Sequence, residues 1–373
     1  MIAVVGSGPV GNFTAYQLAK RGQEATVYEE HQKIGAPVQC TGIVTADIRR
    51  LIRVRPSTIV NRISRIRVIA PNNESFLLKL KKPELILDRT SFDSSIADLA
   101  SEYDVRVRKG HRFVSRTGKE AIFSTEKGKK TVPFSHLVGA DGPLSRVAKS
   151  ATLLQNRTYY HAMQATVKGD FDKSMYQTFF GREYPGFFGW LVPENEGVAR
   201  IGLGTRCNPQ PYFKRFLERY IGADWEKRVV GYQNGLIPIH NPLQPIEKGN
   251  TCLVGDAAAQ VKATTGGGII PGMKAAIALS EALAEKKSYR RTLWQRAGKG
   301  LFIHLLLRKA LDRFTDRDYN RLIEIGSRKN IRQILETTSR EHPTGILMKA
   351  LKKEPRLLLF AKILFQRRQK GER

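Results

Sequence analysis

Apolar positions fall along this chain in three rhythms. Four short, mainly apolar runs read as strands: Ile2-Ala3-Val4-Val5, which is buried, Ala25-Thr26-Val27-Tyr28, Phe134 to Gly139 and Thr251 to Val254. The first and last lead on to helical patterns, Thr14 to Ala19 ending near Gly22 and the alanine-rich stretch Met273 to Leu279. Residues 57–87 and 155–245 follow a different rhythm: runs such as Ile63 to Ile69 and Ala162 to Val167 alternate with period two between Gly, Pro and Asn turns. That alternation predicts an antiparallel sheet. Toward the C-terminus, the clusters Leu301-Phe302-Ile303, Leu305-Leu306-Leu307, Ile346-Leu347-Met348, Leu357 to Phe360 and Ile363-Leu364-Phe365 are interleaved with Lys and Arg, as in basic amphipathic helices. The expected class is α/β, or α+β over the whole chain.

With 373 residues, 41% of them apolar, the chain exceeds one typical domain. A nucleotide-binding domain with a second domain or helical annex fits that length. Cys40, Cys207 and Cys252 are too few and too widely spaced for a disulfide framework or a zinc site, so no metal is expected and a reducing cytosol fits best. Met1 runs directly into a strand, and no apolar stretch reaches the about 18–20 residues that span a bilayer, so neither secretion nor a membrane span is expected. The net charge is +29, and residues 286–373 hold 24 Lys/Arg against 8 Asp/Glu. Such a field attracts polyanions. Basic amphipathic helices suit an anionic membrane surface at its cytoplasmic face, and a solvated basic layer packed on the core gives the same pattern. No helix-turn-helix, zinc-finger or RNA-recognition signature accompanies the charge, so nucleic acid is not an expected partner.

The first strand runs into Gly6-Ser7-Gly8-Pro9-Val10-Gly11 and then a helix, the context a dinucleotide fingerprint requires. Gly6 serves the tight turn, Gly8 the approach of a pyrophosphate, and Gly11 close helix–strand packing, with phosphates at the positive helix end. Glu29, at the end of the second strand, suits the ribose hydroxyls. These features alone leave NAD and FAD open.

The third strand ends in Ala140-Asp141-Gly142, with Ser145 and Arg146 following, and the fourth in Gly255-Asp256-Ala257-Ala258. These resemble the second and third FAD motifs of para-hydroxybenzoate hydroxylase-type flavoproteins. By that resemblance Asp141, Gly142, Asp256 and Ala257 contact FAD, with Asp256 at the ribityl chain and pyrophosphate. Thr264 to Pro271 contains the triplet Gly266-Gly267-Gly268 before a helix. Bare backbone at Gly267, Gly268 and Ile269, aimed by the helix end, would stabilise the anionic edge of a reduced flavin. Asp88 to Asp93 resembles the Arg-x-x-Phe-Asp element of the same superfamily, which makes Arg89 a cofactor contact.

Pro37-Val38-Gln39-Cys40-Thr41-Gly42 and Phe188-Gly189-Trp190-Leu191-Val192-Pro193, with Gly202-Leu203-Gly204 downstream, resemble the geranylgeranyl reductase family. The resemblance spans roughly residues 1–290 and implies a loop at Cys40 facing the flavin. It also implies a lipid tunnel bounded by Phe188, Trp190, Val192 and Pro193. Phe188 stands where the family has Tyr, Val192 where it has Phe, and Ile43 where a second Gly is common. Aromatic and branched walls suit a prenyl chain, since burial of hydrocarbon is worth about 25 cal/mol per Å2. The expected organisation is a discontinuous Rossmann-like FAD-binding domain (1–56, 84–150 and 248–288), interleaved with an antiparallel-sheet substrate domain (57–83 and 151–247). A basic helical region (289–373) follows.

The implied activity is FAD-dependent saturation of C=C bonds in geranylgeranyl chains, carried by membrane glycerophospholipids, with Cys40 or a relayed water supplying the proton. Saturation of a prenylquinone tail or a phytyl-type chain is the variant within this class. The alternative is a monooxygenase or halogenase of the same fold; flavin halogenases resemble Trp-x-Trp-x-Ile-Pro and use a lysine near the substrate, and no comparable lysine stands out here. With no second Gly-x-Gly-x-x-Gly and no Fe–S ligand set, electrons are expected from an external donor, a ferredoxin or a diffusible reduced cofactor.

Overall fold

The structure, a computed structural model, describes residues 1–362. Its first sheet has six strands in the order Glu247–Lys248, Thr251–Leu253, His136–Gly139, Ile2–Val5, Ala25–Tyr28, Arg106–Arg108. All neighbours run parallel except the pair Glu247–Lys248 and Thr251–Leu253. The four apolar runs become the four inner strands because a parallel sheet is covered on both faces. Helices Pro9–Ala19, Arg89–Ser101 and Ile269–Ala284 pack together beside it. A three-stranded sheet (Arg112–Thr117, Glu120–Thr125, Gly128–Pro133) adds Phe113, Phe123 and Val132 to the same core.

The first helix begins at Pro9, five residues before the apolar pattern becomes helical, and ends at Ala19. Proline at the first position lacks an N–H that would have no helical partner anyway. Gly22, with φ of 72°, lies in the exit turn.

The second sheet has eight strands, ordered Val229–Pro238, Tyr159–Lys168, Val198–Thr205, Gly189–Pro193, Met175–Phe179, Ile59–Ile69, Ser75–Leu87, Ile43–Val44. It is antiparallel except where Met175–Phe179 runs parallel to Ile59–Ile69. The expectation of a purely antiparallel sheet is corrected at this seam. The two strands belong to separate excursions of the chain, so no hairpin forces them to be antiparallel. One face packs Leu191, Ile201 and Leu203 against Phe213, Phe216 and Leu217 of helix Gln210–Ile221. The other gathers Ile63, Ile66, Tyr176, Phe187, Trp190 and Val192, and Ile323 of the C-terminal region joins them.

That region contains helices Lys299–Leu311, Asp316–Ser327, Lys329–Thr337 and Pro343–Lys353. Helix Asp316–Ser327 starts with a reciprocal capping box between Thr315 and Asp318. Of its apolar clusters, Leu301 and Leu305 are buried, whereas Met348, Leu358 and Leu359 are exposed. The cluster Ile363 to Phe365 lies outside the described residues. No helix among the described residues is long and apolar enough to cross a membrane.

Candidate functional site

A cavity of ≈ 1940 Å3 runs from the turn after the first strand to the C-terminal helices. A pocket for one drug-sized ligand reaches about 1,000 Å3, so there is room here for two large ligands.

At one end the wall is backbone. Gly6 has φ of 101°, and a side chain there would lie 2.4 Å from the Ala140 carbonyl oxygen. Only glycine satisfies both constraints. A side chain on Gly11 would lie 1.9 Å from the Gly6 carbonyl oxygen, so the helix sits directly on the turn. Gly8 caps helix Pro9–Ala19 and Gly268 caps helix Ile269–Ala284, neither with a side-chain hydrogen bond. Both first turns line the cavity. Two uncapped helix ends on one cavity present N–H donors and positive dipoles to whatever anion fills it. Glu29 accepts from the Ser7 amide at 2.7 Å and from the His31 amide at 2.9 Å, which fixes its carboxylate at the end of the second strand.

Asp141 accepts from Ser145 Oγ at 2.5 Å and from the Val147 amide at 3.0 Å. Burial raises its pKa and these bonds work against the rise. Its carboxylate therefore holds the turn that carries Gly142. Asp256 is the freer acid. Its carboxylate accepts no hydrogen bond from the described residues, and a side chain on Gly268 would lie 2.8 Å from its Oδ1. Burial raises the Asp256 pKa, opposed by Arg89 and Arg157. Arg89 is gripped by Asp93 through Nε–Oδ1 (3.0 Å) and Nη2–Oδ2 (2.8 Å). Burial disfavours its charge, but Asp93 more than offsets this and its pKa stands above the ordinary value.

Gly6, Gly8, Glu29, Arg89, Asp141, Gly142, Asp256, Gly267, Gly268 and Ile269 all line the cavity. Gly11 and Ala257 do not; Gly11 is packing, and the Ala257 carbonyl accepts from Arg157. Arg157 also donates to the carbonyls of Pro143 (3.0 Å) and Asp256 (3.4 Å), tying the second turn to the third. Its Nε is buried without a partner. No spacing in the sequence points to this arginine.

Cys40 lines the cavity and receives the Gly42 amide at its sulfur (3.3 Å). Its loop is fixed by Thr41, which donates to Gln164 Oε1 (2.6 Å) and accepts Arg200 at its carbonyl (2.7 Å). Gln164 Oε1 also accepts Trp190 Nε1 at 2.8 Å, so one buried glutamine sets both the Cys40 loop and the aromatic wall. Phe188 and Trp190 line the cavity, their rings 5.7 Å apart and T-shaped. Val192 and Pro193 do not line it, which corrects their expected place in the wall. Val192 faces the same way as Trp190 but packs fully buried among core residues, and Pro193 is buried beside it. Ile66, Phe76, Leu78, Leu322 and Leu335 extend the apolar wall toward the C-terminal helices.

Sequence reading missed an ionic row in this wall, in which Glu84, Lys262 and Glu341 have buried side chains and Arg340 is partly exposed. Arg340 pairs with Glu84 (2.7 Å) and donates to Tyr176 Oη (2.7 Å), while Glu341 pairs with Lys262. The lysine absent from the sequence motifs is thus brought in by the fold. Among the described residues no cluster of His, Cys, Asp and Glu could hold a metal ion.

The family described as NAD(P)-binding Rossmann-like domain matches residues 4–50. Over most of its length the chain is similar to the digeranylgeranylglycerophospholipid reductase of Methanothrix thermoacetophila, 28% identical across 92% of this chain and 96% of the relative. It is also similar to the Methanothermobacter thermautotrophicus digeranylgeranylglycerophospholipid reductase 2, 27% identical across 96% and 97%. A geranylgeranyl bacteriochlorophyll reductase-like protein of Thermoplasma acidophilum superposes with a TM-score of 0.84 at 25% identity, covering 97% of this chain and 98% of its own. The flavin-dependent brominase Bmp2 shares the fold, with a TM-score of 0.75 at 16% identity over 98% of each chain. Fold and site define an oxidoreductase of the flavin-dependent class. Within that class, its likeness is to the geranylgeranyl reductase family, over nearly the whole chain.

Proposed function

We propose that this protein binds FAD in the glycine-lined end of the cavity and saturates the C=C bonds of geranylgeranyl chains carried by membrane glycerophospholipids. One observation carries the reading: a single cavity joins a cradle of uncapped helix ends to an apolar chamber, and Cys40 lines it. The names of the relatives support the substrate. Bound FAD would supply the hydride, and Gly6, Gly8, Glu29, Arg89, Asp141, Gly142, Asp256, Gly267, Gly268 and Ile269 would hold it.

The protein contributes position, dryness and a proton. Phe188 and Trp190 exclude water from the chamber and bury hydrocarbon. Gln164 holds the loop of Cys40, whose thiol hydrogen is available to the carbon that does not receive hydride. An isolated alkene accepts hydride poorly unless that proton arrives with it. Cys40→Ala retains FAD and lowers alkene reduction or changes which bonds are reduced; an unchanged product pattern removes Cys40 from the reaction. The exposed Met348, Leu358 and Leu359 on a basic helical region suit a peripheral contact with anionic lipid, from which an amphiphilic substrate is drawn. Electrons enter from an external donor, a ferredoxin or a diffusible reduced cofactor. Lys262 is held by Glu341, which makes it a fixed ion rather than the free amine that a halogenase uses.

The test is anaerobic incubation of dithionite-reduced protein with geranylgeranyl glycerophospholipids, followed by mass spectrometry. Two-hydrogen increments are expected. Their absence on every prenyl substrate sinks the reductase reading while leaving flavin binding standing.

A further inference from the structure

Lys262 stands where the third glycine turn meets the C-terminal region. Its amide donates to the Gly267 carbonyl at 3.2 Å, and the Gly266 amide donates to the Lys262 carbonyl at 2.8 Å, closing a compact loop. The lysine side chain then crosses the turn: a side chain on Gly267 would lie 2.9 Å from Lys262 Cε and 3.2 Å from its Nζ. Gly267 leaves the space that this ammonium occupies. The lysine side chain is 7% exposed and that of its partner Glu341 is 3%. Thr45 Oγ1 donates to the same Glu341 oxygen at 3.3 Å.

The pair belongs to a row of alternating charge, Glu84, Arg340, Glu341, Lys262, drawn from a sheet strand, the segment between two C-terminal helices, and the glycine loop. All four residues line the cavity. Buried ion pairs seldom repay their desolvation, and apolar replacements are often as stable. Stability alone therefore gives no reason for this row, whereas its position does. Of the four, Lys262 abuts Gly267, beside the uncapped N-terminus of helix Ile269–Ala284.

We infer that Lys262, clamped by Glu341 of the C-terminal region, is the fixed cation of the redox pocket. Its charge adds to the helix end and favours the reduced, negatively charged flavin ring over the oxidised, neutral one. This inference rests on the flavin reading above. A preset charge in a water-poor wall needs no rearrangement when the ring is reduced, and the ion pair to Glu341 supplies that immobility.

The experiment compares the flavin reduction potential of wild type, Lys262→Met and Lys262→Arg, by anaerobic equilibration with a reference dye in the absence of lipid. Lys262→Met is expected to shift the reduction equilibrium at least tenfold toward the oxidised form, equivalent to ~30 mV for two electrons. Lys262→Arg keeps the wild-type value within threefold. A residue that only packs would change flavin retention without this dependence on charge. Should Lys262→Met fail to fold, the double variant Lys262→Met with Glu341→Leu leaves no unpaired buried ion and is expected to shift the equilibrium in the same direction by a smaller factor, because the Glu341 charge leaves with the lysine; an unchanged potential in it overturns the inference equally. Equal potentials in flavin-loaded wild type and Met variant overturn this inference alone. A wild type that takes up no flavin overturns it together with the flavin reading.

Discussion

Two adjoining parts of the cavity wall hold charge by opposite means. At the cradle, backbone amides and helix ends face the ligand space, and the side chains that matter are those left out, at Gly6, Gly11 and Gly268. Along the wall that adjoins it at Gly267, four long charged side chains from three distant segments pair with one another, with Glu84 Oε2 and Arg340 Nε left without hydrogen-bond partners. The first arrangement is short-range: at Gly6 and Gly11 a new Cβ meets backbone that cannot move aside, and at Gly268 it meets the Asp256 carboxylate. The second is long-range and tolerates change of shape, provided no ion is left alone. Sterics therefore govern the glycine turns and electrostatic pairing the ionic row.

The largest effect is expected at Gly11. Gly11→Val drives atoms into the Gly6 carbonyl, so the purified variant should lack flavin absorbance and lose more than ~3 kcal/mol in urea unfolding, at the upper end for overpacking. A variant with flavin and near-normal stability would erase the steric half of the contrast. Glu341→Gln strands the buried Lys262 ammonium and should cost about 3–5 kcal/mol by the same measurement. Adding Lys262→Met should restore most of that loss; failure to do so would mean that shape, rather than pairing, rules the ionic row.

His304 gives a pH-dependent version. Its Nδ1 lies 2.6 Å from Thr264 Oγ1, and its Nε2 is buried without a partner. Burial, and Lys262 after it, push its pKa down from 6.5 to about 4. Below pH 6.5 the unfolded chain takes up this proton while the folded chain refuses it until about pH 4. The contribution is thus whole above pH 6.5 and is lost as pH falls toward 4, a span of ~3 kcal/mol. Urea midpoints of His304→Gln should fall less steeply over that window than those of wild type. The smallest expected effect is at Arg157, which bridges two turns through carbonyls. Arg157→Ala should weaken FAD retention about tenfold, or ~1.4 kcal/mol, with the fold intact. Titration of the apoprotein with FAD measures it.

The same contrast explains which parts could be read from the chain. Gly6, Gly11 and Glu29 lie within one strand–helix–strand unit, where spacing fixes geometry, so the motif already implies the place. Asp256 and the glycine triplet are legible for the same reason. Glu84 and Arg340 are separated by most of the chain, and nothing in either neighbourhood signals that a fold will pair them. Arg157 is similar: an unremarkable position whose three acceptors are backbone carbonyls. Val192 misled because alternation reports which face a residue points to, not how far along that face the cavity extends. Trp190 and Val192 share the face, and only the tryptophan reaches the opening. The parallel seam between Ile59–Ile69 and Met175–Phe179 was invisible because local alternation carries no record of strand direction.

Strand Ile2–Val5 also has a temporal consequence. It sits between Ala25–Tyr28, which follows at once, and His136–Gly139, whose own outer neighbour is Thr251–Leu253. On a ribosome that emits the chain from N- to C-terminus, the first glycine turn emerges well before its roof at Ala140. The wall built by Arg340 and Glu341 closes later still. Sequence-distant contacts of this kind make folding slow and leave surfaces open meanwhile. The cavity is therefore completed only after Arg340 and Glu341 have emerged, and a ligand that needs the whole wall binds after them.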